Sequence, residues 1–255
     1  MAKEMVKDKP KVALVTGAAS GIGAAAIRLL LAEGQRVCAA DLSDIPLDGI
    51  SGKDRANLTI VRCDVSSADA CKDAVAACVQ AFGGLDSLLH FAGIHSVKTW
   101  EQLDAAEFAR LYSVNVIGSF LMAQAAACYM KEHGGGAIVL TGSGSMSASG
   151  VGGDGRGGMA YTSTKGAIVA LHRGLAKSLG PHGIRVNAVS PGSTTTAMTS
   201  GYTKEALANV ARRSALGRIG RADEIAAVAI FLVSDAASYV TGEIVNVNGG
   251  GSFGI

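Results

Sequence analysis

Charge of one sign, aromatic side chains and long apolar runs are all scarce in this sequence. The 23 basic and 21 acidic residues nearly cancel, and aromatic residues make up only 5% of the chain. No basic run is interleaved with aromatics, so a nucleic-acid-binding surface is not expected. The apolar stretch from Ile225 to Val233 is too short to cross a bilayer. The first ten residues mix charges without an apolar run, so we expect no signal peptide and no membrane partner.

Cysteine is present, but its pattern argues against a disulfide framework. The odd set contains no C-x-x-C motif and consists of Cys38, Cys63, Cys71, Cys78 and Cys128. Secreted disulfide scaffolds use paired cysteines, whereas cytosolic proteins keep their thiols reduced. We therefore expect buried, reduced thiols in a cytoplasmic protein, and no metal site.

Glycine and apolar residues are abundant. The chain has 34 Gly and 49% hydrophobic residues against 17% charged ones, which is typical of a globular protein with a large core. Short apolar runs alternate with helical segments, and no linker or repeat interrupts them. The alternation predicts a single domain over residues 1–255, of the α/β class, with a Rossmann-type doubly wound parallel sheet and helices on both faces.

The first strand, turn and helix carry a binding motif. The apolar run 12–16 precedes Gly17, Gly21 and Gly23, and an alanine- and leucine-rich helix follows. Such a turn lets backbone N–H groups approach a pyrophosphate at a helix N-terminus. The next predicted strand ends in Asp41, where a carboxylate can accept hydrogen bonds from the adenosine ribose. A 2′-phosphate would meet a like charge there and Leu42 cannot neutralise it, so the motif predicts NAD rather than NADP.

The segment from Ser143 to Lys165 holds the candidate chemistry. Tyr161 and Lys165 stand at i and i+4 of a predicted helix, so they share one face. A free phenol titrates near pH ~10, and a nearby ammonium group lowers that pKa, which would suit a general acid/base acting on an alcohol or a carbonyl. Ser143 could hold the same substrate oxygen, with Ser145 and Ser147 as rival candidates. The alternative is a chance surface pair of Tyr and Lys.

Two further predictions concern helices. The segment 100–132 is mostly helical in pattern but contains Asn115, and asparagine is a mediocre helix former. This position is either functional or a solvated polar site. Asp223 is predicted to cap the helix that runs to Val233.

The motifs Thr16-Gly17-x-x-x-Gly21-x-Gly23, Asn115, Ser143, Tyr161-x-x-x-Lys165 and Pro191-Gly192 follow one another in this order. Each motif alone is weakly specific, but the ordered set, from about Val12 to Gly250, resembles the short-chain dehydrogenase/reductase family. The resemblance implies about seven strands, a nicotinamide cofactor, a small alcohol or ketone substrate and a homotetramer. It also implies roles for the catalytic set: Tyr161 as acid/base, Lys165 as its pKa modifier and ribose ligand, Ser143 as ligand of the substrate oxygen, and Asn115 as anchor of a proton-relay water.

The same resemblance implies a larger set of cofactor contacts. In it, Asp64 and Val65 contact the adenine, and Thr194 and Thr196 flank the nicotinamide carboxamide. The full expected cofactor-binding set is Gly17, Ser20, Gly21, Ile22, Gly23, Asp41, Asp64, Val65, Ala92, Gly93, Tyr161, Lys165, Pro191, Gly192, Thr194 and Thr196.

Two departures from the family pattern stand out. His90-Phe91 replaces the usual Asn-Asn after the fourth strand, which puts the hydrogen bonds of the central sheet in doubt; we interpret His90 as a satisfied strand-end residue. A glycine-rich insertion, residues 149–158, lengthens the segment before Tyr161. This loop either borders the substrate pocket or is a passive surface insertion, and residues 193–220 are expected to form the substrate-binding lid.

The sequence therefore predicts an NAD-dependent oxidoreductase that interconverts a secondary alcohol and a ketone. An acyl-carrier ketoreductase is a rival within the family, although such enzymes usually favour NADP. An enoyl reductase would need a different Tyr–Lys spacing. A dinucleotide-binding scaffold or regulator without turnover is the rival from another class. Lys204, Arg212 and Arg213 could bind an anionic group of the substrate or lie on a solvated helix face.

Overall fold

Seven parallel strands form the centre of the structure, a computed structural model that describes residues 9–148, 158–195 and 203–253. The strands of this sheet are β1 (Val12–Thr16), β2 (Arg36–Asp41), β3 (Leu58–Arg62), β4 (Ser87–His90), β5 (Gly136–Thr141), β6 (Ile184–Pro191) and β9 (Ile244–Val247). Two short strands, β7 (Thr194–Thr195) and β8 (Gly220–Arg221), pair with each other outside it. The predicted fold class is confirmed.

The strand order places a crevice at the centre of the sheet. The order is β3-β2-β1-β4-β5-β6-β9, with every pair parallel. The chain moves outward from β1 to β3 and then returns to β4 on the other side of β1. At such a reversal the connections leave in opposite directions, which opens a ligand site beyond the carboxyl ends of the strands.

Helices cover both faces of the sheet. They are α1 (Gly21–Ala32), α2 (Gly52–Arg55), α3 (Ala68–Phe82), α4 (Ala105–Tyr112), α5 (Gly118–Glu132), α6 (Ser145–Ala148), α7 (Met159–Leu179), α8 (Lys204–Arg212) and α9 (Ala222–Val233). Successive strand residues point to opposite faces, so Leu14 packs in the core beneath α3, α5 and α7, whereas Val15 packs in the core beneath α1 and α9. Two apolar cores, one on each face, hold the layers together.

Side-chain contacts set the starts of three helices, and two of these starts differ from the sequence prediction. Ser67 caps α3 by accepting a hydrogen bond from Ala70 N. The helix predicted from about residue 100 begins only at α4, because Asp104 caps it by accepting from Glu107 N at 2.8 Å. The N-cap of α9 is Arg221, not Asp223. Glu224 accepts a hydrogen bond from Arg221 N at 2.7 Å, which leaves Asp223 in the first turn beside the positive end of the helix dipole.

A π-helical turn, Ser113–Ile117, joins α4 to α5 and carries Asn115. Single π turns of this kind occur mostly at functional positions. By length and composition the joined segment Ala105–Glu132 could cross a membrane. Its buried side chains, including Met122 and Met130, belong to the core above the sheet, so its apolar character is accounted for by packing in this fold.

Candidate active site

The glycine-rich turn between β1 and α1 is shaped by close backbone contacts. A Cβ atom on Gly17 would lie 2.7 Å from Ala92 N, and one on Gly23 would lie 2.1 Å from the Gly17 carbonyl oxygen. Gly21, with φ of 55°, opens α1, and the side chain of the N-cap Ser20 makes no capping hydrogen bond. The first turn of α1 therefore presents backbone N–H groups with no acidic residue among them, which fits a pyrophosphate.

Carboxylates lie at the ends of the next two strands. Asp41 Oδ2 accepts a hydrogen bond from Ala19 N at 2.9 Å, and Oδ1 accepts one from Ser43 N at 2.9 Å. These bonds attach the end of β2 to the glycine-rich turn. Asp64 Oδ1 accepts from both the N–H and the hydroxyl of Ser66, and these hydrogen bonds hold the pKa of the Asp64 carboxyl below its usual value. Both carboxylates still have at least one oxygen lone pair for a ligand hydroxyl.

A single cavity of about 940 Å³ runs along the carboxyl ends of the strands. It collects nearly all of the predicted cofactor and catalytic residues, which lie far apart in sequence. The predicted residues that line it are Gly17, Ser20, Gly21, Ile22, Gly23, Asp41, Asp64, Val65, Ala92, Gly93, Ser143, Tyr161, Lys165, Pro191, Gly192 and Thr194. Asn115 lies behind the wall rather than in it. Thr196 and residues 149–157 of the glycine-rich insertion lie outside the described residues.

Tyr161, Ser143 and Lys165 meet at one end of this cavity. The Tyr161 phenol is hydrogen-bonded to the Ser143 side chain. Lys165 Nζ lies 5.7 Å from the centroid of the Tyr161 ring and donates a hydrogen bond to the Thr141 carbonyl oxygen at 2.9 Å. The end of β5 thus positions Ser143 and also anchors the ammonium group on α7. The arrangement brings together a phenol, a hydroxyl and a cation, the three groups that the sequence analysis singled out.

The pKa of Tyr161 differs from the sequence expectation. Burial raises the pKa of the phenol, and only the hydrogen bond with Ser143 acts in the opposite direction. Lys165 does not lower it in the protein alone, because the ammonium group is itself buried and is directed to the Thr141 carbonyl. Burial lowers the pKa of Lys165 to about 8. Desolvation disfavours the charged form of both groups, so the phenol is neutral at pH 7.

Asn115 is fully buried and its side chain is fully used. Its Oδ1 accepts from Ile94 N at 2.8 Å, while Nδ2 donates to Ile94 O at 2.9 Å and to Thr164 Oγ1 at 3.1 Å. The interpretation as a solvated polar site is therefore wrong. Asn115 ties the loop after β4 to α7, beside Gly93, whose added Cβ would lie 3.6 Å from Lys165 Nζ.

His90 replaces some of the hydrogen bonds that the missing asparagine pair would supply. Its Nδ1 is 2.9 Å from Thr16 Oγ1, and its carbonyl oxygen accepts from Thr141 Oγ1 at 2.7 Å, so it links β1, β4 and β5. The prediction of a satisfied residue is only half right, because Nε2 is buried without a hydrogen-bond partner in the described part of the chain. Burial and the nearby Lys165 charge lower the pKa of His90 to about 3, so the ring is neutral.

Two polar residues of the cavity, His95 and Ser145, lie beside Tyr161 and Ser143. His95 lies edge-on to Tyr161, with ring centroids 4.5 Å apart and planes at 67°. Ser145, weighed only as a rival to Ser143, also lines the cavity, and its backbone N–H donates to Ser143 Oγ at 3.2 Å. The signal for His95 was its place just after a strand end at the crevice, although nothing local indicated its contact with Tyr161.

Fold and site together define an oxidoreductase of the dinucleotide-binding α/β class. A family model described as enoyl-(acyl carrier protein) reductase matches residues 17–252. (+)-Borneol dehydrogenase 1 of Salvia officinalis is 37% identical over 94% of this chain and 93% of its own length. A 3-oxoacyl-[acyl-carrier-protein] reductase of Thermotoga maritima is 35% identical over 94% and 97% of the two chains. The solved structure of a glucose/ribitol dehydrogenase-type short-chain dehydrogenase/reductase from Brucella melitensis has a TM-score of 0.86 and 33% identity, covering 96% of this chain and 97% of its own.

The chain belongs to the short-chain dehydrogenase/reductase family. Its members bind a nicotinamide dinucleotide and act on small molecules, so this chain is an oxidoreductase of that kind.

Proposed function

We propose that this protein is an NAD-dependent oxidoreductase that interconverts a secondary alcohol and a ketone. The observation that carries the proposal is the partly buried Tyr161 phenol, which is hydrogen-bonded to Ser143 and has Lys165 Nζ over its ring, in a dinucleotide-sized cavity. A positioned proton donor and a second hydroxyl acting on one oxygen are what carbonyl reduction and alcohol oxidation require. The bound nicotinamide would supply the hydride chemistry.

The protein residues divide the remaining work. In the reductive direction the neutral Tyr161 gives its proton to the developing alkoxide, while the Ser143 hydroxyl stabilises the charge on the same oxygen. In the oxidative direction Tyr161 must first lose its proton, and the raised pKa of the phenol opposes this in the protein alone. Lys165 then has two functions: its charge stabilises the phenolate, and its ammonium group can donate to the cofactor ribose. Asn115 holds the loop beside Lys165, where the family resemblance expects a proton-relay water.

Asp41 supports NAD over NADP. Its carboxylate lines the cavity beside the glycine-rich turn, and the next residues in the cavity wall, Leu42 and Ser43, carry no positive charge. Arg36, at the other end of β2, donates instead to the Phe82 carbonyl oxygen. A 2′-phosphate next to Asp41 would be repelled at a partly desolvated site, whereas the two ribose hydroxyls of NAD could donate to it.

Three rival functions can be distinguished from the proposed one. The ketoreductase relative from Thermotoga maritima makes an acyl-carrier substrate the main alternative, and it would require a large thioester-linked substrate to be preferred over small alcohols. The description of the matching family model suggests enoyl reduction, but the i, i+4 spacing of Tyr161 and Lys165 favours alcohol/ketone chemistry. A scaffold without turnover would bind NADH and convert no alcohol or ketone.

The test of the proposed function is a panel of secondary alcohols and ketones assayed with NAD and NADP on wild type and on Tyr161→Phe. We expect turnover to fall by about 10²–10⁴-fold in Tyr161→Phe, because the acid/base is lost, while NADH binding persists. Tyr129→Phe, on α5 and away from the cavity, is the matched control and should stay near wild type. Activity of Tyr161→Phe within a few-fold of wild type would contradict the assignment.

The cofactor assignment has its own test. We expect NAD to have a kcat/KM advantage of about a hundredfold over NADP, from discrimination of about 3 kcal/mol, and we expect Asp41→Ala to narrow this ratio mainly by weakening NAD. Equal efficiency with both cofactors in wild type would show that Asp41 is not the selector.

A homotetramer and a cytoplasmic location complete the proposal, with the whole chain acting as one domain. Gly166 and Gly174 lie on an exposed stripe of α7 where nothing approaches within 4 Å of an added Cβ. Small residues on an exposed helix face allow another helix to approach closely. The cysteines of the described residues carry no disulfide, and all except Cys128 are buried, which is consistent with a reducing compartment. Sedimentation equilibrium would measure the oligomeric state.

A further inference from the structure

Beyond the pair that holds the reacting oxygen, Ser145 and His95 are two polar side chains of the cavity that lie beside Ser143 and Tyr161. The Ser145 hydroxyl lines the cavity, is buried and has no hydrogen-bond partner among the described residues; the residue is only 7% exposed. The His95 ring also lines the cavity, and neither of its nitrogens is hydrogen-bonded to another described residue. His95 is only partly buried, but the Ser145 hydroxyl is desolvated without a partner, which is costly, and such groups in native proteins usually have a ligand or a functional reason.

These two side chains flank the catalytic pair. His95 comes from the loop after β4 and lies against the Tyr161 ring at 4.5 Å between centroids. Ser145 is the first residue of α6, which follows β5, and its backbone N–H donates a hydrogen bond to Ser143 Oγ at 3.2 Å. When the reacting oxygen of a substrate lies between Tyr161 and Ser143, we expect the carbon next to the carbinol carbon to lie near His95 and Ser145.

We propose that His95 and Ser145 form a second polar subsite, which selects alcohols carrying another hydroxyl on the adjacent carbon, so that the substrates are vicinal diols and the products α-hydroxyketones. The inference rests on the proposed function. In the oxidation, the carbinol carbon gives up a hydride, with its two electrons, to the nicotinamide, and the hydroxyl proton goes to the Tyr161 phenolate, which has first released its own proton. The second hydroxyl is unchanged and only binds.

The charge state of the subsite fits a hydroxyl better than an anion. Burial, and then the Lys165 charge, lower the pKa of His95, so the imidazole is neutral at pH 7. A neutral imidazole has one donor and one acceptor nitrogen, and a serine hydroxyl also does both. Such a pair matches a substrate hydroxyl, which likewise donates and accepts. Arg213 also lines the cavity, and it would be the group to select a carboxylate-bearing alcohol instead.

The experiment compares kcat/KM for cis-1,2-cyclohexanediol with kcat/KM for cyclohexanol, and includes 2-hydroxybutyrate as an anionic alcohol. In wild type we expect the diol to be preferred by at least about tenfold, because an alcohol lacking the second hydroxyl leaves buried polar groups unpaired. His95→Phe keeps the ring against Tyr161 but removes both nitrogens, and Ser145→Ala removes the hydroxyl. Each should reduce the preference by about tenfold, the ratio that loss of one buried hydrogen bond produces, with most of the change in KM for the diol.

Three controls make the outcome decisive. His95→Gln, which can still donate and accept, should recover part of the preference. His182→Phe, a histidine change outside the cavity, should leave it unchanged. NADH binding, followed by fluorescence, reports whether each variant is folded, and Ser145→Ala carries the test if His95→Phe does not fold.

The results that would contradict the subsite can be distinguished from those that would contradict the proposed function. If both cyclohexyl alcohols are oxidised and neither His95→Phe nor Ser145→Ala changes their ratio, the subsite is wrong while the proposed function stands. The same holds if 2-hydroxybutyrate is the best substrate and depends on Arg213 rather than on His95. If wild type oxidises none of the panel alcohols and reduces none of the ketones, the proposed function fails, and the subsite with it.

Discussion

The buried charge of Lys165 should lower the free energy of unfolding at neutral pH, and Lys165→Met should raise it. The side chain is 5% exposed, and burial lowers its pKa from 10.5 to about 8. At 1.36 kcal/mol per pKa unit, keeping this ammonium group charged and buried costs the folded state about 3 kcal/mol. Lys165→Met keeps a long, unbranched side chain and removes the charge. It also leaves the Thr141 carbonyl oxygen without its donor, which costs about 1 kcal/mol.

The pH dependence follows from the sign of the shift. Below pH 8 both the folded and the unfolded states hold the proton, so the cost is fully present. Between pH 8 and 10.5 the folded state releases the proton while the unfolded state keeps it, so the stability of wild type rises with pH. Lys165→Met should therefore be more stable than wild type by about 2 kcal/mol at pH 7 and less stable by about 1 kcal/mol near pH 10.5.

Urea unfolding of the cofactor-free protein, followed by fluorescence from pH 7 to pH 10.5, measures this difference. The other titrating groups are common to both proteins and cancel in the comparison. Lys177→Met, an exposed lysine change on the same helix, is the matched control and should show a small difference with little pH dependence. A difference between wild type and Lys165→Met that does not change with pH would refute the argument, as would a variant less stable than wild type at pH 7. The variant should also lose turnover, so that stability is exchanged for function.

Two further predictions concern Ser143, the proposed catalytic serine, and the glycine-rich turn. Ser143→Ala should lower kcat by about 10²-fold because a donor to the reacting oxygen is lost, whereas Ser147→Ala should stay within a few-fold of wild type; the reverse order would show that the strand-end argument chose the wrong serine. Gly23→Ala should abolish NADH binding and cost about 1–3 kcal/mol of stability, because the new Cβ would lie 2.1 Å from the Gly17 carbonyl oxygen. Gly84→Ala, where nothing lies within 4 Å of the new Cβ, is the control, and unimpaired NADH binding by Gly23→Ala would rule out the close-contact explanation.

Most of the fold and the composition of the candidate site were predictable from local patterns. Apolar runs bounded by glycine predicted the strands, and the i, i+4 spacing placed Tyr161 and Lys165 on one face of α7. The order of motifs identified the family. The predicted helix starts were less accurate. The start of α4 depends on the Asp104 carboxylate reaching Glu107 N, and the start of α9 depends on the Glu224 carboxylate reaching Arg221 N. Which N–H the carboxylate reaches depends on the backbone conformation of the residues that precede the helix, and the sequence pattern does not specify that conformation.

The sequence by itself determined which residues could carry the chemistry, because residue type and short-range spacing are local properties. Only the tertiary structure decided how those residues behave. Burial raises the pKa of Tyr161 against the expected effect of Lys165, and desolvation depends on every element packed around the pair. The contact of His95 with Tyr161, and that of His90 with Thr16, join segments far apart in the chain. Such contacts follow from the order of strands in the sheet, which brings distant strand ends to one edge.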